Sequence, residues 1–387
     1  GKVELDAPVR RYLPELRLKS QEAAERVTVL QLLNHTAGWV GDQGLEGAGD
    51  DALARFVEFL ATLDQLTPPG EVISYNNAAL NVAGRLIEVV TEQPFERAIR
   101  ELVLIPLGMH NSFFPPDEIM TRRFAVGHGN KGRDDGPTQV IRDWLMARSS
   151  APAGGLVCGT RDMIRYGRFH LGDGTAADGT PVLRSETLAL MQRPSTDLRY
   201  DAEHMGITWH LGETGGTRTF GHDGATPSGV ARLLLLPQER FGVTWALNSI
   251  GAGVSALQRE IQAAVFDENL GLTAEQPQRV AMTAAELAEY AGVYDRGQGT
   301  TLHFTVVDDH LSALTVMSDE LLAWIGEHRP DITIPTPQPI QLWMMRDERF
   351  ARTDQGRDDL AGGFVRHRNT GALLGLRWSG RLALKIA

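Results

Sequence analysis

The chain has 387 residues, a formal net charge of −11 and a pI near 5.5, with 42% hydrophobic and 22% charged residues. This is the composition of a globular protein of roughly two or three domains, and the acidic balance, with no long basic run, excludes nucleic acid and anionic membranes as partners. No apolar stretch approaches the roughly 18 residues of a membrane span, and no signal-peptide pattern is present.

The helical part of the chain comes first. Residues 27–38 predict a short helix that Gly38 ends, and residues 50–63 predict a second one with acidic residues at its start. Residues 128–150 are polar and are interpreted as a loop region at the rim of a cleft. Further helices are predicted after residue 77, from Pro94 to about Val103, from an N-cap at Thr160 to Leu171, and from a cap at Ser185 to about Met191.

The pattern then changes to strands. Residues 204–212, 229–236 and 240–248 predict three strands, and residues 254–268 predict a helix that lies across their sheet. Residues 271–282 are polar, contain Pro277 and are interpreted as an interdomain linker. From residue 283 a capping box and short strands at 301–306, 311–316, 341–346, 362–368 and 381–386 predict a small antiparallel barrel or sandwich.

Cysteine and histidine usage limits the chemistry. The single cysteine, Cys158, excludes an internal disulfide and a cysteine-based metal cluster. The 11 histidines include no His-x-x-x-His or His-x-His pair, so we expect neither a metal centre nor a cofactor. The apolar context of Cys158 predicts a buried, inert thiol. Periplasmic, secreted and cytoplasmic locations all fit this composition.

The stretch from Pro68 to Asn77 is the strongest local signal for a site. A Pro-Pro-Gly turn leads through a short apolar run to Ser-Tyr-Asn-Asn, and an amphipathic helix follows. Tyr75 and Asn77 place a phenol and a carboxamide two residues apart at the mouth of that helix, so both can point into one cleft. Taken alone, the tripeptide also fits a surface loop.

Several phrases, taken in order, carry a resemblance to a known family. The sequence resembles the serine hydrolases related to class C β-lactamases, penicillin-binding DD-peptidases and their esterase relatives. The matching phrases are Gly-Lys-Val-Glu-Leu-Asp-Ala-Pro-Val at 1–9, Leu-Leu-Asn-His-Thr-Ala-Gly at 32–38, Pro-Gly-Glu at 69–71 with Tyr-Asn-Asn at 75–77, Pro-Leu-Gly-Met at 106–109, Ala-Gly-Gly-Leu at 153–156 with Thr-Arg-Asp at 160–162, and Gly-His-Asp-Gly at 221–224.

The resemblance implies a fold and a domain arrangement. Residues 1–270 are expected to form an α+β, β-lactamase/transpeptidase-like domain, in which helices flank an antiparallel sheet. Residues 287–294 resemble the start of a lipocalin-like domain, so an all-β lipocalin-like barrel is expected at 283–387, behind the linker at 271–282.

The resemblance also implies roles for single residues. Tyr75 would be the general base and acid, and Asn77 would hold the substrate amide or the catalytic lysine. His222 and Gly224 would line the opposite wall, and the backbone N–H of Ala225 would donate to the oxyanion. A structural histidine near a strand end is the alternative for His222. The histidine of the 32–38 phrase, His35, is expected to be structural.

One part of the family pattern is missing. No Ser-x-x-Lys occurs before Tyr75. The simplest interpretation is a hydrolase that is truncated at its N-terminus, lacks its nucleophile and catalytic lysine, is inactive as it stands and exposes an apolar groove. Cys158, Ser74 and Ser228 carry no motif that would let them substitute.

Two hypotheses therefore stand. The first is a serine acyl-hydrolase with a small-molecule or peptide substrate, and His222 at a position where β-lactamases carry lysine favours esters and D-amino-acid amides or peptides over β-lactams. The second is a catalytically dead homologue that binds peptidoglycan fragments or a protein partner in the same cleft.

Overall fold

The computed structural model describes residues 1–42, 47–114, 116–129, 138–142, 146–198, 204–226, 228–250, 253–273, 277–328, 334, 336–354 and 357–387. Within these ranges, no helix is long and apolar enough to span a bilayer. The α-helices are Gln21–Arg26 (α1), Val29–Leu33 (α2), Ala52–Phe59 (α3), Asn77–Thr91 (α4), Phe95–Ile99 (α5), Pro116–Ile119 (α6), Ala151–Gly154 (α7), Thr160–His170 (α8), Ser185–Met191 (α9), Val254–Leu270 (α10), Ala284–Leu287 (α11) and Asp319–His328 (α12).

The strands in the described part of the chain form four sheets. The short pairs are Ser112–Phe113 (β1) with Val157–Cys158 (β4), and His128–Gly129 (β2) with Gln139–Val140 (β3). The five-stranded sheet consists of His204–Met205 (β5), His210–Thr214 (β6), Thr217–Thr226 (β7), Gly229–Leu236 (β8) and Phe241–Leu247 (β9). The closed barrel consists of Gly292–Asp295 (β10), Thr300–Val307 (β11), His310–Met317 (β12), Ile340–Met344 (β13), Arg349–Asp354 (β14), Arg357–Arg366 (β15), Leu373–Trp378 (β16) and Arg381–Lys385 (β17).

A helical core occupies the first part of the chain, with α4 at its centre. The helix packs against α2, α3 and α7. Its Ala78, Ala79 and Val82 are completely buried in one cluster with Trp39 and Phe56. This spacing puts an apolar stripe on one helix face, as the sequence pattern predicted. The start of α4, next to the Tyr-Asn-Asn motif, is therefore anchored in a buried hydrophobic cluster of the domain.

The five-stranded sheet is antiparallel throughout, in the order β5-β6-β7-β8-β9. On one face α8 packs over β8 and β9, where Leu233 and Leu235 are buried. Side chains alternate along a strand, so Arg232 faces the other side, where it donates to Gln262 of α10. Within the described residues, β6 begins at the pair His210–Gly221, and from there to Thr226 β7 pairs only with β8. That end of β7 therefore has an open edge.

The barrel closes by pairing each strand with the next one and β17 with β10. Buried aromatic rings occupy its interior, with centroids between 5.2 and 6.2 Å apart. These rings are Tyr294, Phe304, Phe350 and Phe364. An eight-stranded antiparallel barrel in sequential order agrees with the expected lipocalin-like architecture. Its aromatic packing makes it a firm support for the loops at its ends.

A tight hairpin connects β16 and β17. The two loop residues, Ser379 and Gly380, have φ values of +48° and +83°, as in the type I′ turn that matches the twist of antiparallel strands. Glycine suits the second position because it has no Cβ to clash at positive φ. The Gly380 carbonyl accepts a hydrogen bond from the Tyr75 N–H at 2.9 Å. The tip of the barrel thus contacts the N-terminal domain at the candidate site.

Further contacts hold the hairpin in that position. Buried Arg377 donates from Nη1 to the Ile73 carbonyl at 3.1 Å, and the Leu382 N–H donates to Ser74 Oγ at 3.1 Å. Val72 packs in a small apolar cluster with Leu382. Polar and apolar contacts together therefore fix residues 72–75 against the barrel.

The structure corrects several local predictions in the N-terminal domain. Strand β7 was missed because glycine and aspartate, which occupy three of the four positions 221–224, have low strand propensity, and pairing with both neighbours overrides that propensity. Residues 204–212 are two strands separated by a turn. The helix before Gly38 ends at Leu33, with Asn34 as its C-cap. Thr160 and Ser185 are the first residues of their helices rather than their N-caps.

In the barrel, all five predicted strands exist, with shifted ends, but β10, β14 and β16 were missed. Charged residues in β14 and a glycine in β16 obscure the alternation of apolar and polar residues that marks a strand. Pairing with neighbouring strands in the closed barrel stabilises both as strands. For the loop region predicted at 128–150, residues 130–137 and 143–145 lie outside the described residues. Its described part includes the paired strands β2 and β3.

Candidate active site

The middle residue of the Tyr-Asn-Asn motif sets the geometry of the other two. Asn76 is completely buried and is the N-cap of α4: its Oδ1 accepts from the Ala79 N–H at 2.8 Å, and its Nδ2 donates to the Trp39 carbonyl at 2.7 Å. The cap satisfies one of the free N–H groups of the first helical turn. Tyr75 is thereby held just before the helix and Asn77 at its first position.

His35 holds the backbone on both sides of Tyr75 by hydrogen bonds. Its carbonyl accepts from the Ser74 N–H at 2.9 Å, and its Nδ1 accepts from the Asn76 N–H at 3.0 Å. The imidazole is completely buried, and its ring centroid lies 4.4 Å from that of Tyr75. Burial lowers the pKa of His35 to about 3, which keeps the ring neutral. These contacts fit a structural role.

The Tyr75 phenol contacts His222. The phenol oxygen and His222 Nε2 are 3.2 Å apart, although 147 residues separate them in sequence. Burial is the main cause that lowers the pKa of His222, and burial is also the main cause that raises the pKa of Tyr75. Near neutral pH the contact therefore joins a protonated phenol and a neutral imidazole.

A second histidine completes the cluster. His210 starts β6 opposite Gly221. Its ring lies 5.3 Å from that of His222 and is stacked 6.2 Å from that of Tyr75. Burial, reinforced by the proximity of His222, lowers the pKa of His210 to about 4. Sequence reasoning missed this residue, because its position depends on the register between β6 and β7.

A polar network links Asn77 to the barrel. Asn77 Nδ2 donates to Asp42 Oδ1 at 3.0 Å. The same carboxylate accepts from Arg381 of β17, with Nε–Oδ2 at 2.7 Å and Nη2–Oδ1 at 3.0 Å. The Arg381 guanidinium carbon lies 4.5 Å from the centroid of the Tyr75 ring. Neither Asp42 nor Arg381 belongs to a motif that sequence reasoning used.

The other predicted site residues lie on the open end of β7. Gly224 and Ala225 follow His222 on that strand, are exposed, and pair with Ala231 and Val230 of β8. They therefore share the strand that carries His222 to Tyr75. A backbone N–H on the open edge of such a strand is available to a substrate oxygen.

Other potential nucleophiles are poorly suited to catalysis. Burial raises the pKa of the Cys158 thiol to about 11, so the thiolate is scarce at neutral pH. The Ser74 hydroxyl oxygen accepts a hydrogen bond from the Leu382 N–H. Among the described residues, no group of three or more His, Cys, Asp or Glu side chains is placed to hold a metal ion.

Comparison with known proteins agrees with this fold. The model of the Beta-lactamase family matches residues 1–268, and the chain belongs to this family. It is 34% identical to penicillin-binding protein 4 of Amycolatopsis lactamdurans over 310 residues, which cover 77% of this chain and 80% of that protein. Relatives of this kind are serine hydrolases, a class that includes β-lactamases, penicillin-binding proteins and esterases.

The solved structures that share the fold include the following two. The structure of SurE matches with a TM-score of 0.73 at 23% identity, over 100% of this chain and 82% of that one, so the match includes the barrel. The structure of a D-stereospecific amidohydrolase from Streptomyces matches with a TM-score of 0.56 at 21% identity, over 70% of this chain and 80% of that one.

Proposed function

We propose that Tyr75, Asn77, His222 and the open end of β7 form the proton-transfer and substrate-holding part of a serine acyl-hydrolase site, which cleaves an amide or ester through an acyl-enzyme. The observation that carries the proposal is the 3.2 Å contact between the Tyr75 phenol and His222 Nε2. Two neutral, partly buried groups that can exchange a proton, held at hydrogen-bonding distance in a cleft, suit general acid–base chemistry.

The proposed steps divide between residues of this chain and a serine. A serine oxygen forms a bond to the substrate carbonyl carbon, and its proton passes to Tyr75 while the phenolic proton of Tyr75 moves to His222 Nε2. The N–H of Ala225 donates to the resulting oxyanion. As the old bond breaks, Tyr75 gives a proton to the leaving group and recovers one from His222. Water then repeats the sequence on the acyl-enzyme. Because burial raises the pKa of Tyr75, the phenol needs a nearby positive charge before it can act as a base.

His222 favours a particular class of substrate. The pKa of its imidazole is lowered, so it is neutral at pH 7 and attracts a carboxylate less than an ammonium would. D-amino-acid amides, peptides or esters therefore suit the cleft better than β-lactams. The similar fold of a D-stereospecific amidohydrolase supports this choice of substrate class.

One observation favours a second function, that of a non-catalytic homologue which binds peptidoglycan fragments or a protein partner. The sequence contains no Ser-x-x-Lys, and its lysines are limited to positions 2, 19, 131 and 385. Lys2 donates to the Val90 carbonyl and Lys19 pairs with Asp64, so neither of these two is directed at Tyr75.

The test begins with the coding sequence upstream of residue 1. If that sequence encodes a Ser-x-x-Lys, the extended chain should be labelled on that serine by a fluorophosphonate probe, with one adduct seen by intact-protein mass spectrometry. Tyr75→Phe should slow labelling by about 100-fold, since a general base contributes on the order of 10²–10⁴ in rate. Tyr12→Phe, a tyrosine whose oxygen accepts from the Glu4 N–H, is the matched control.

Two outcomes would contradict the acyl-hydrolase proposal. Labelling that Tyr75→Phe leaves unchanged would remove Tyr75 from the chemistry. A start codon directly before residue 1, with no adduct on the 387-residue chain, would favour the binding function. Calorimetric titration with muropeptides would then measure that binding directly.

A further inference from the structure

The barrel contacts the backbone of the candidate base itself. Three successive amide N–H groups around Tyr75 find partners outside their own segment. The N–H groups of Ser74 and Asn76 donate to His35, and the N–H of Tyr75 donates to the Gly380 carbonyl at 2.9 Å. Buried amides need such partners. The barrel supplies the acceptor of one of these three hydrogen bonds.

Next to Gly380, the barrel also presents a charge. Arg381 Nη1 donates to the Ser379 carbonyl at 2.7 Å within the same turn, and its other nitrogens bind both oxygens of Asp42. With three of its donor atoms held in this way, the planar guanidinium has a defined orientation over the Tyr75 ring. Its carbon lies 4.5 Å from the ring centroid, well within the range of a cation–π contact.

We propose that Arg381, supplied by the C-terminal barrel and held by Asp42, is a positioning residue of the active site that orients the Tyr75 phenol and places a positive charge beside it, an assignment that rests on the proposed function. The barrel is then a structural part of the cleft rather than an independent appendage. Its aromatic interior and tight hairpin turn keep Arg381 at a constant distance from Tyr75.

The electrostatics of the pair agree with this geometry. A guanidinium beside a phenol favours the ionised form, and a carboxylate disfavours it. For Tyr75, burial raises the pKa most, the charge of Arg381 lowers it, and the charges of Asp42 and Asp223 raise it. Arg381 and Asp42 therefore change the pKa of Tyr75 in opposite directions. A residue that acted only by packing would not produce this difference in direction.

The test measures ionisation of the phenol in the full 387-residue chain and needs no nucleophile. The tyrosines are replaced by 3-fluorotyrosine, whose more acidic phenol brings the titration to a milder pH, and each resonance is followed by ¹⁹F NMR. Tyr75→Phe identifies the relevant signal. Arg381→Gln should shift the Tyr75 titration to higher pH, Asp42→Asn should shift it to lower pH, and Arg381→Lys should keep it near the wild-type position.

Arg368→Gln is the matched control. Arg368 also joins the barrel to the N-terminal domain, through an exposed ion pair with Asp197, but it has no contact with Tyr75 in the described structure. Its substitution should leave the Tyr75 titration unchanged. Circular dichroism establishes that each variant is folded, and if Arg381→Gln does not fold, the comparison of Asp42→Asn with Arg381→Lys replaces it.

The proposal is overturned if Arg381→Gln does not move the titration, or if Arg381→Gln and Asp42→Asn move it in the same direction, as general loosening would. The titration experiment and the labelling experiment can fail independently, so the role of Arg381 and the acyl-hydrolase function are tested separately. Opposite shifts without any probe labelling would retain Arg381 as the residue that positions Tyr75 and would discard the catalytic function. Probe labelling without these titration shifts would retain the catalytic function and would discard the positioning role of Arg381.

Discussion

The Tyr75 oxygen and His222 Nε2 lie 3.2 Å apart, at the centre of a cluster that also contains the rings of His35 and His210. All three imidazoles are kept neutral by burial, which lowers each pKa. Of the three, His222 lies at hydrogen-bonding distance from the phenol oxygen and can exchange a proton with it. The neutral cluster also makes the folded protein sensitive to acid.

The first prediction concerns that sensitivity. The pKa is lowered to about 3 for His35 and to about 4 for both His210 and His170, from 6.5 in an unfolded chain. Below pH 6.5 the unfolded chain binds protons that the folded chain does not, so the free energy of unfolding should decrease as the pH falls from about 6.5 to 4, by on the order of a few kcal/mol. Urea unfolding at pH 7.5 and pH 4.5 measures the difference.

A single buried histidine away from the cleft provides the control for this effect. His170→Gln should make the stability profile flatter between these pH values, whereas substitution of the exposed His110 by glutamine should not. Equal unfolding midpoints at both pH values in the unsubstituted chain would contradict the prediction.

The second prediction compares two neighbouring asparagines. Asn76→Ala removes a helix cap and leaves the Trp39 carbonyl without its side-chain donor, so it should reduce the free energy of unfolding by about 2–3 kcal/mol. Asn77→Ala removes an exposed contact with Asp42 and should cost less than about 1 kcal/mol. Chemical denaturation measures both variants. A larger loss for Asn77→Ala would mean that Asn76 is not the anchor of the motif.

The third prediction compares two helical glycines. At Gly84 of α4, an added Cβ would lie 2.1 Å from Cγ of Pro152, and the proline ring is too rigid to move aside. Gly84→Ala should therefore destabilise the protein by about 1–3 kcal/mol, although alanine has the better helix propensity. At Gly326 of α12, nothing lies within 4 Å of an added Cβ. Gly326→Ala should therefore stabilise the protein by about 0.5–1 kcal/mol. Melting temperatures that move in the same direction would refute the packing argument.

The fourth prediction concerns the single thiol. With its pKa raised to about 11 by burial, Cys158 should react slowly with iodoacetamide at pH 8, and unfolding in urea should accelerate the reaction by at least about 100-fold. Mass spectrometry follows the adduct over time. Rapid alkylation of the folded chain would show that the thiol is accessible and would return it to consideration as a nucleophile.

Much of the architecture could be predicted from sequence, because it depends on near neighbours. Helical periodicity predicted α3, α4 and α10, and alternation with turn residues predicted most of the barrel. Ordered short phrases indicated the family and selected Tyr75, Asn77 and His222. Each of these features is encoded within a few residues: an apolar stripe, a turn, or a motif whose spacing along the chain is constant.

Only the tertiary structure placed His210 beside His222 and brought Asp42 together with Arg381, 339 residues further along the chain. The first contact depends on the register of β6 against β7, and the Gly-His-Asp-Gly sequence of β7 has too low a strand propensity to be recognised locally. The second depends on how the barrel docks against residues 72–75. Neither register nor docking leaves a periodic signal in the sequence, because both are decided by the combined packing of surfaces that are distant along the chain.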